Sequence, residues 1–320
     1  MNELEKIASN SSSIAITSHI NPDGDSIGSI LALWFALKQR YKNVEVFINE
    51  KLPDRYSFLP QAKHIKKYED VKGKKFDLFF ALDCGNEKRL GNGIEIMEKS
   101  KIVVNIDHHI SNTKFGDINI VDIYSSSTCE MIYSVIKDMG LAIDQQIATC
   151  IYTGIVTDSG NFMYDNVTEK THLIVAELMR TGIAKQDIIY NLYQKKSVNS
   201  LRFLGYSLTN MDIELGGRLV IFRVPSGLLE KFNISNDDVE GLVNYGRDIE
   251  SADIAASITE TGNGEVKLSF RSKHDDVDVR AFAQLFNGGG HKKASGAVLT
   301  STLDEAKDQV VEKAKQFVRW

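Results

Sequence analysis

Between residues 18 and 29 the chain reads SHINPDGDSIGS, which crowds His19, Asp23 and Asp25 into a few neighbouring positions. Carboxylates that close repel one another unless a positive charge stands between them. Three more segments carry the same residue types: Asp83 in ALDCGN, Asp107, His108 and His109 in IDHHISN, and Asp158 in GIVTDSGNF. Oxygen and imidazole donors without thiolates suit hard or borderline cations, Mn²⁺ or Mg²⁺ first and Co²⁺ or Zn²⁺ after them. The ligand inventory is His19, Asp23, Asp25, Asp83, His108 and Asp158, with His109 left over. Two ions sharing one carboxylate would stand roughly 3.5–4 Å apart, the spacing used for phosphoryl hydrolysis by a hydroxide held between them. Taken singly, an aspartate after a strand is more often a cap or turn former. Four such clusters at matched positions outweigh that alternative.

The positions match because of the elements that precede them. SIAIT (13–17), NVEVFI (43–48), FDLFFAL (76–82) and KIVVNI (101–106) are short apolar runs of the kind that form strands buried on both faces. Helical patterns over 26–40, 126–140 and 144–158 alternate with or follow them, which predicts an α/β fold with a doubly wound, mainly parallel sheet. Ligand sites in such sheets lie beyond the carboxyl ends of the strands, so the clusters should converge, joined by Asp158 at the end of its apolar helix. Ser127 lies three residues before Glu130, the spacing of a capping box, and Asp144 suits an N-cap. Pro22 is expected to hold Asn21 extended, and Gly24 to permit a tight turn between the two aspartates.

After about residue 190 the texture changes. GRLVIFRVP, ADIAASITETGNGEVKLSFRS and GAVLTS predict strands, two of them joined by a hairpin, while 278–287 and 303–320 predict amphipathic helices. The expected division is 1–190, a connecting helix or linker over 191–208, and a smaller α/β mixed-sheet domain over 209–320. The glycines of NGGGHKKASG would let backbone N–H groups approach an anion if their conformations alternate, with Arg271 and His291 beside them.

The chain has 320 residues, 42% hydrophobic and 25% charged, which suits two ordinary globular domains. A net charge of −5 argues against a long basic nucleic-acid track, though not against a small nucleotide bound through a metal. Cys84, Cys129 and Cys150 are odd in number and form no CxxC pair, so neither a disulfide framework nor a thiolate zinc site is expected. Without a leader-like start or an apolar run of spanning length, the expectation is a soluble, cytoplasmic protein with no membrane partner.

HINPDGDSIGS, LDCGN, DHHISN and GIVTDSGNF, in this order over residues 19–162, resemble the four motifs of the DHH phosphoesterases. RSK (271–273) and FNGGGHKKASGA (286–297) resemble the DHH-associated substrate-binding domain, so the resemblance covers nearly the whole chain. The combination is most similar to the branch of nanoRNases and 3′-phosphoadenosine-5′-phosphate phosphatases. That resemblance implies two Mn²⁺ ions, the first on His19, Asp23 and Asp83 and the second on Asp25, Asp83, His108 and Asp158, with Asp83 bridging. It implies that His109 faces the substrate phosphate or leaving oxygen, that Asp107 orients the imidazoles, and that the active site lies in the cleft between the domains. Arg271, Gly288, Gly289, Gly290, His291 and Ser295 would bind substrate; Ser295 stands where the family commonly has alanine.

The expected activity is hydrolysis of short oligoribonucleotides and linear dinucleotides such as pApA or pGpG to mononucleotides, and of 3′-phosphoadenosine-5′-phosphate to AMP. Long nucleic acid is not an expected partner, and homodimerisation is left open. A manganese-dependent inorganic pyrophosphatase shares the metal motifs, but its lysine- and arginine-dense clamp is missing where RSKHDD stands. A non-catalytic nucleotide sensor would be free to lose ligands, and none is lost here.

Overall fold

The computed structural model describes residues 3–319 apart from Glu240 and Asn263. Strands Ile14–Thr17 (β1), Val44–Ile48 (β2), Lys66–Lys67 (β3), Leu78–Leu82 (β4), Ile102–Asp107 (β5) and Ile118–Val121 (β6) form one sheet in the order β3-β2-β1-β4-β5-β6, parallel throughout. The apolar runs are continuous because the pleat sends alternate residues into two separate cores. Ile14, Ile16, Val46, Phe80, Leu82, Val104 and Ile106 face one core; Ala15, Phe47, Phe79 and Ala81 face the other. The first core is closed by helices Gly24–Lys38 (α1), Thr128–Asp138 (α2) and Gln145–Asp158 (α3). The order reverses between β1 and β4, and at such a switch point the loops after the two strands part to opposite faces and leave a crevice.

Two strands of this sheet were not expected. β3 has two residues, and β6, INIV, is a half-buried edge strand with only β5 to pair with, so neither offers a long apolar run. Local chemistry around the first motif also departs from expectation. Asn21 is left-handed (φ 54°) rather than extended; asparagine tolerates that region, and the loop geometry outweighs the preference set by Pro22. Gly24 is the first residue of α1 rather than a turn. A Cβ there would stand 2.4 Å from Thr157 Oγ1, so the glycine serves the close approach of α3. Gly28 and Gly154 continue that seam, since a Cβ on Gly28 would stand 2.6 Å from the Cys150 carbonyl oxygen and 3.2 Å from the Gly154 nitrogen.

Ser127 and Asp144 are the N-caps of α2 and α3. The Glu130 side chain does not close a capping box: it is buried and accepts from the Ser126 and Thr171 hydroxyls, at 2.7 Å each. This ties the start of α2 to the helix Glu169–Arg180.

The chain divides into two compact units, Met1–Lys195 and Lys196–Trp320. The second unit has a mixed sheet of Asp212–Glu214 (β7), Leu219–Val224 (β8), Ile254–Gly262 (β9), Glu265–Ser272 (β10), Gly289–Gly290 (β11) and Ala294–Thr300 (β12), in the order β11-β12-β10-β9-β8-β7. Only the β8–β9 pair is parallel among these strands. Helix Val198–Thr209 (α4) packs on one face with Val220 and Phe222. Val279–Gln284 (α5) and Leu303–Ala314 (α6) cover the other, where Ile221, Phe270 and the β9 residues Ile254, Ala256 and Ile258 are buried.

No helix among the described residues is long and apolar enough to cross a membrane.

Candidate metal centre

β1 and β4 deliver the first two clusters. The chain leaves β1 through Ser18 and His19, then enters α1 with Asp23 as N-cap, its carboxylate accepting from Ser26 N at 3.0 Å. His19 is buried, and Nδ1 lies 2.6 Å from the Ile20 carbonyl oxygen, so a proton on Nδ1 leaves Nε2 as the donor atom. Nε2 faces Asp83 Oδ2 at 3.4 Å and Asp23 Oδ2 at 3.9 Å. Asp83 follows β4 in a left-handed conformation (φ 54°), a strained backbone for a non-glycine residue. The Ser26 hydroxyl donates to Asp83 Oδ2 (2.7 Å) and the Thr128 hydroxyl to Oδ1 (3.1 Å), which fixes the carboxylate from both sides.

β5 delivers the third cluster. His108 repeats the pattern of His19: Nδ1 lies 3.2 Å from the Ser125 carbonyl oxygen, and Nε2 faces Asp158 (3.3 Å), Asp83 (3.8 Å) and Asp25 (4.0 Å). A backbone carbonyl behind each imidazole sets its tautomer, as is usual behind metal-binding histidines. His109 is turned the other way, with Nδ1 on Asp107 Oδ1 at 2.7 Å. Asp107 is held in turn by Asn112 Nδ2 at 2.6 Å, and that amide also reaches Asn105 Oδ1 at 2.8 Å.

Asp25 is buried at the N-terminus of α2, where its carboxylate accepts from Thr128 N (2.6 Å) and Cys129 N (2.8 Å). Asp158 ends α3. Behind it Gly160, Asn161 and Phe162 are all left-handed (φ 56°, 59° and 64°), and Phe162 N donates to Ser159 Oγ at 3.1 Å. This tight reversal ends the helix at the aspartate.

Three sets of ligand atoms follow: His19, Asp23 and Asp83; Asp25, His108 and Asp158; and Asp83, His108 and His109, the atoms of each set lying within 4.8 Å of one another. The ligand inventory read from the sequence fills the first two sets, and the third joins Asp83 and His108 to His109. The electrostatics suit a cation. Burial pushes the Asp25 carboxyl well above its usual range, with Asp83 and Asp158 adding to it. Desolvation does the same to the half-buried Asp158, beside Asp23 and Asp83. Burial would also raise Asp83, but His19, His109 and His108 outweigh it and hold that carboxyl well below its usual range. At His109 burial opposes the charged form, yet Asp107 and Asp83 prevail and raise its pKa to about 9. Buried carboxylates in excess of their neutralising partners are the environment a divalent cation satisfies.

The three cysteines are buried, and burial raises their thiols, Cys84 to about 12, so none is disposed to act as a nucleophile.

In the second unit, Arg271 on β10 pairs with Ala294 on β12, and Gly289 and Gly290 form β11 against Gly296 and Ser295. Two glycines of the run thus form a short strand, the second of them with a positive φ (138°). Gly288 is needed for close packing, since a Cβ there would stand 2.2 Å from the Gly296 carbonyl oxygen. His291 is exposed at a turn closed by its own N–H on the Ala294 carbonyl (2.7 Å). Ser295 is buried and its hydroxyl donates to the Val279 carbonyl, while Lys273 is occupied by the Ile249 and Glu250 carbonyls.

Sequence reasoning did not place Ser26, Thr128, Asn105, Asn112 or Arg89 in the site. The first four are small polar residues that gain significance only from what they touch. Arg89 is one basic residue among many in the sequence; its Nη2 lies 3.1 Å from His19 Nδ1.

The DHH family N-terminal domain matches residues 13–155 and the DHHA1 domain residues 216–319. A Thermus thermophilus protein named bifunctional oligoribonuclease and PAP phosphatase NrnA is 32% identical over 95% of this chain and 89% of its own. Its Bacillus subtilis namesake is 29% identical over 95% of this chain and 94% of its own. A solved structure from Bacteroides fragilis, described as an exopolyphosphatase-related protein, superposes with a TM-score of 0.90 at 32% identity, covering 98% of this chain and 95% of that one.

Proposed function

This chain belongs to the DHH family of metal-dependent phosphoesterases, and on that premise we propose that it hydrolyses short oligoribonucleotides and linear dinucleotides to mononucleotides, and 3′-phosphoadenosine-5′-phosphate to AMP. The observation that carries the reading is the pair of ligand sets built from carboxylates and imidazoles alone, with Asp83 Oδ2 3.4 Å from His19 Nε2 of the first and Oδ1 3.8 Å from His108 Nε2 of the second. That donor set fits two divalent cations, Mn²⁺ foremost: His19, Asp23 and Asp83 for one, Asp25, Asp83, His108 and Asp158 for the other. Cations held there supply Lewis-acid activation of water and of the phosphoryl oxygens. The names of the curated relatives support the two substrate classes.

The chain's own residues do the rest. Ser26 and Thr128 fix the Asp83 carboxylate, the Ile20 and Ser125 carbonyls fix the two imidazoles, and Asn112 fixes Asp107. With His109 Nδ1 on Asp107, Nε2 is the nitrogen to meet a substrate oxygen, and an imidazole held there by a carboxylate is suited to pass a proton to that oxygen. Arg271, Gly288, Gly289, Gly290 and His291 are proposed as substrate-binding groups of the second unit, with Ser295 holding that segment in place through Val279.

The test is the initial rate of AMP release from pApA by metal-stripped protein on addition of Mn²⁺. Fast release that Asp83→Ala abolishes, and that falls steeply on twenty-residue RNA, supports the reading. A folded, metal-loaded protein that releases no AMP from pApA or from the bisphosphate overturns it, and phosphate release from pyrophosphate would then identify a pyrophosphatase.

A further inference from the structure

The backbone around Arg89 is firmly held, and its side chain is left on a poorly matched partner. Its N–H donates to the Asn86 side chain (3.2 Å), its carbonyl accepts from Ile20 N (2.8 Å), and the next carbonyl, of Leu90, accepts from Asn49 Nδ2 (2.9 Å). Gly91 then presses on Ile20, where a Cβ would stand 2.5 Å from Ile20 Cγ2. Together these contacts fix the arginine against the loop that carries His19. The side chain is half-buried, and its guanidinium meets His19 Nδ1 at 3.1 Å.

That contact cannot survive metal binding through Nε2. A nitrogen whose proton is donated to the Ile20 carbonyl has no lone pair to accept from Arg89. With Nε2 given to a cation, the proton sits on Nδ1, and the guanidinium loses this acceptor. Charge points the same way. Asp23, Asp25, Asp83 and Asp158 would balance two divalent cations held at such a centre, and Asp107 is engaged by His109, so no carboxylate of the cluster would remain for the arginine.

We infer that Arg89 binds a non-bridging oxygen of the substrate phosphoryl group at this centre. The inference rests on the phosphoesterase reading above and adds a residue that contacts substrate without binding metal. A planar guanidinium suits a phosphoryl group better than an ammonium does, because two parallel N–H donors match two oxygens. An alternative role is to position His19, and the two roles separate experimentally.

The experiment compares wild type with Arg89→Gln and Arg89→Lys by three readouts: kcat and KM on pApA and on 3′-phosphoadenosine-5′-phosphate, Mn²⁺ bound per chain at equilibrium, and the affinity of the loaded protein for inorganic phosphate. Substrate contact predicts that Arg89→Gln lowers kcat/KM on the order of 10- to 100-fold, the scale of one charge-assisted hydrogen bond. Phosphate affinity should fall with it, Mn²⁺ binding should be unchanged, and Arg89→Lys should recover part of the loss. Unchanged kinetics and phosphate affinity in Arg89→Gln overturn the inference. A loss of Mn²⁺ that tracks the loss of activity also overturns it, in favour of the positioning role. If wild type cleaves neither nucleotide, the proposed function has failed by itself, and phosphate affinity still decides whether Arg89 binds an anion.

Discussion

Replacing Gly154 with alanine is a sharp test of the seam beneath the metal centre. On a free helix the change would stabilise by about 1 kcal/mol, because glycine is the poorer helix former. Here the new Cβ would stand 2.2 Å from Cys129 Sγ and 2.8 Å from both Cys129 Cβ and Asp25 Oδ1. Overpacking of this kind costs about 1–3 kcal/mol. Asp25 cannot step aside freely, since its oxygens are fixed by Thr128 N and Cys129 N at 2.6 and 2.8 Å. Weakening one such hydrogen bond to a charged group adds about 1.5–3 kcal/mol. Set against the helical gain, the expected net loss is about 1.5–5 kcal/mol. Urea unfolding of metal-stripped Gly154→Ala measures it, with Mn²⁺ titration as the second readout, because a displaced Asp25 should bind the cation more weakly. Adding Cys129→Ala removes the nearest atom and should return part of the stability. A single variant as stable as wild type, with Mn²⁺ affinity intact, would refute the close packing and its link to Asp25.

Asn112→Ala removes the amide that holds Asp107, and the looser His109 should lower kcat about 10-fold or more with bound metal unchanged; steady-state kinetics beside metal analysis checks this. In stripped protein the raised carboxyls of Asp25 and Asp158 give a definite pH dependence. Below the unfolded pKa of about 4 they are protonated in both states and cost nothing. As pH rises above it, the unfolded chain sheds those protons first, so stability from these groups is lost until the folded carboxyls ionise too. Asp83, held low, works in the opposite sense as pH falls. Thermal unfolding of stripped wild type and Asp158→Asn between about pH 4.5 and 7 should show a shallower decline in the variant; equal slopes would refute the assignment.

The gathering of the candidate residues was legible because strand ends are legible: an apolar run followed at once by Asp or His marks a loop at the carboxyl edge of a parallel sheet, and Asp158 alone joins them from the end of a helix. β6 escaped because an edge strand of four half-buried residues lacks the fully apolar signature of β4. Glycines were recognised as important but for the wrong reason at Gly24, where the demand comes from Thr157, a residue far away in sequence. Asn21 shows the same limit: the preference that proline imposes on its predecessor was outweighed by the path of the loop. Arg89, Asn112 and Thr128 act through partners that only folding brings near. Local chemistry can be inferred from spacing, whereas tertiary chemistry waits for the fold.

The adjacency of β1 and β4 has a consequence for how the chain reaches its native state. Ile14 pairs with Leu78 and Thr17 with Ala81, so the two strands that carry His19 and Asp83 meet only by closing a long loop that includes β2. Parallel pairings of such separation form late and slowly, since loop-closure entropy is lost before any contact compensates it. A cation therefore finds few of its ligands assembled early, and it cannot guide the search. Its grip would be felt on the return journey, as a slower rate of unfolding with little change in the rate of folding.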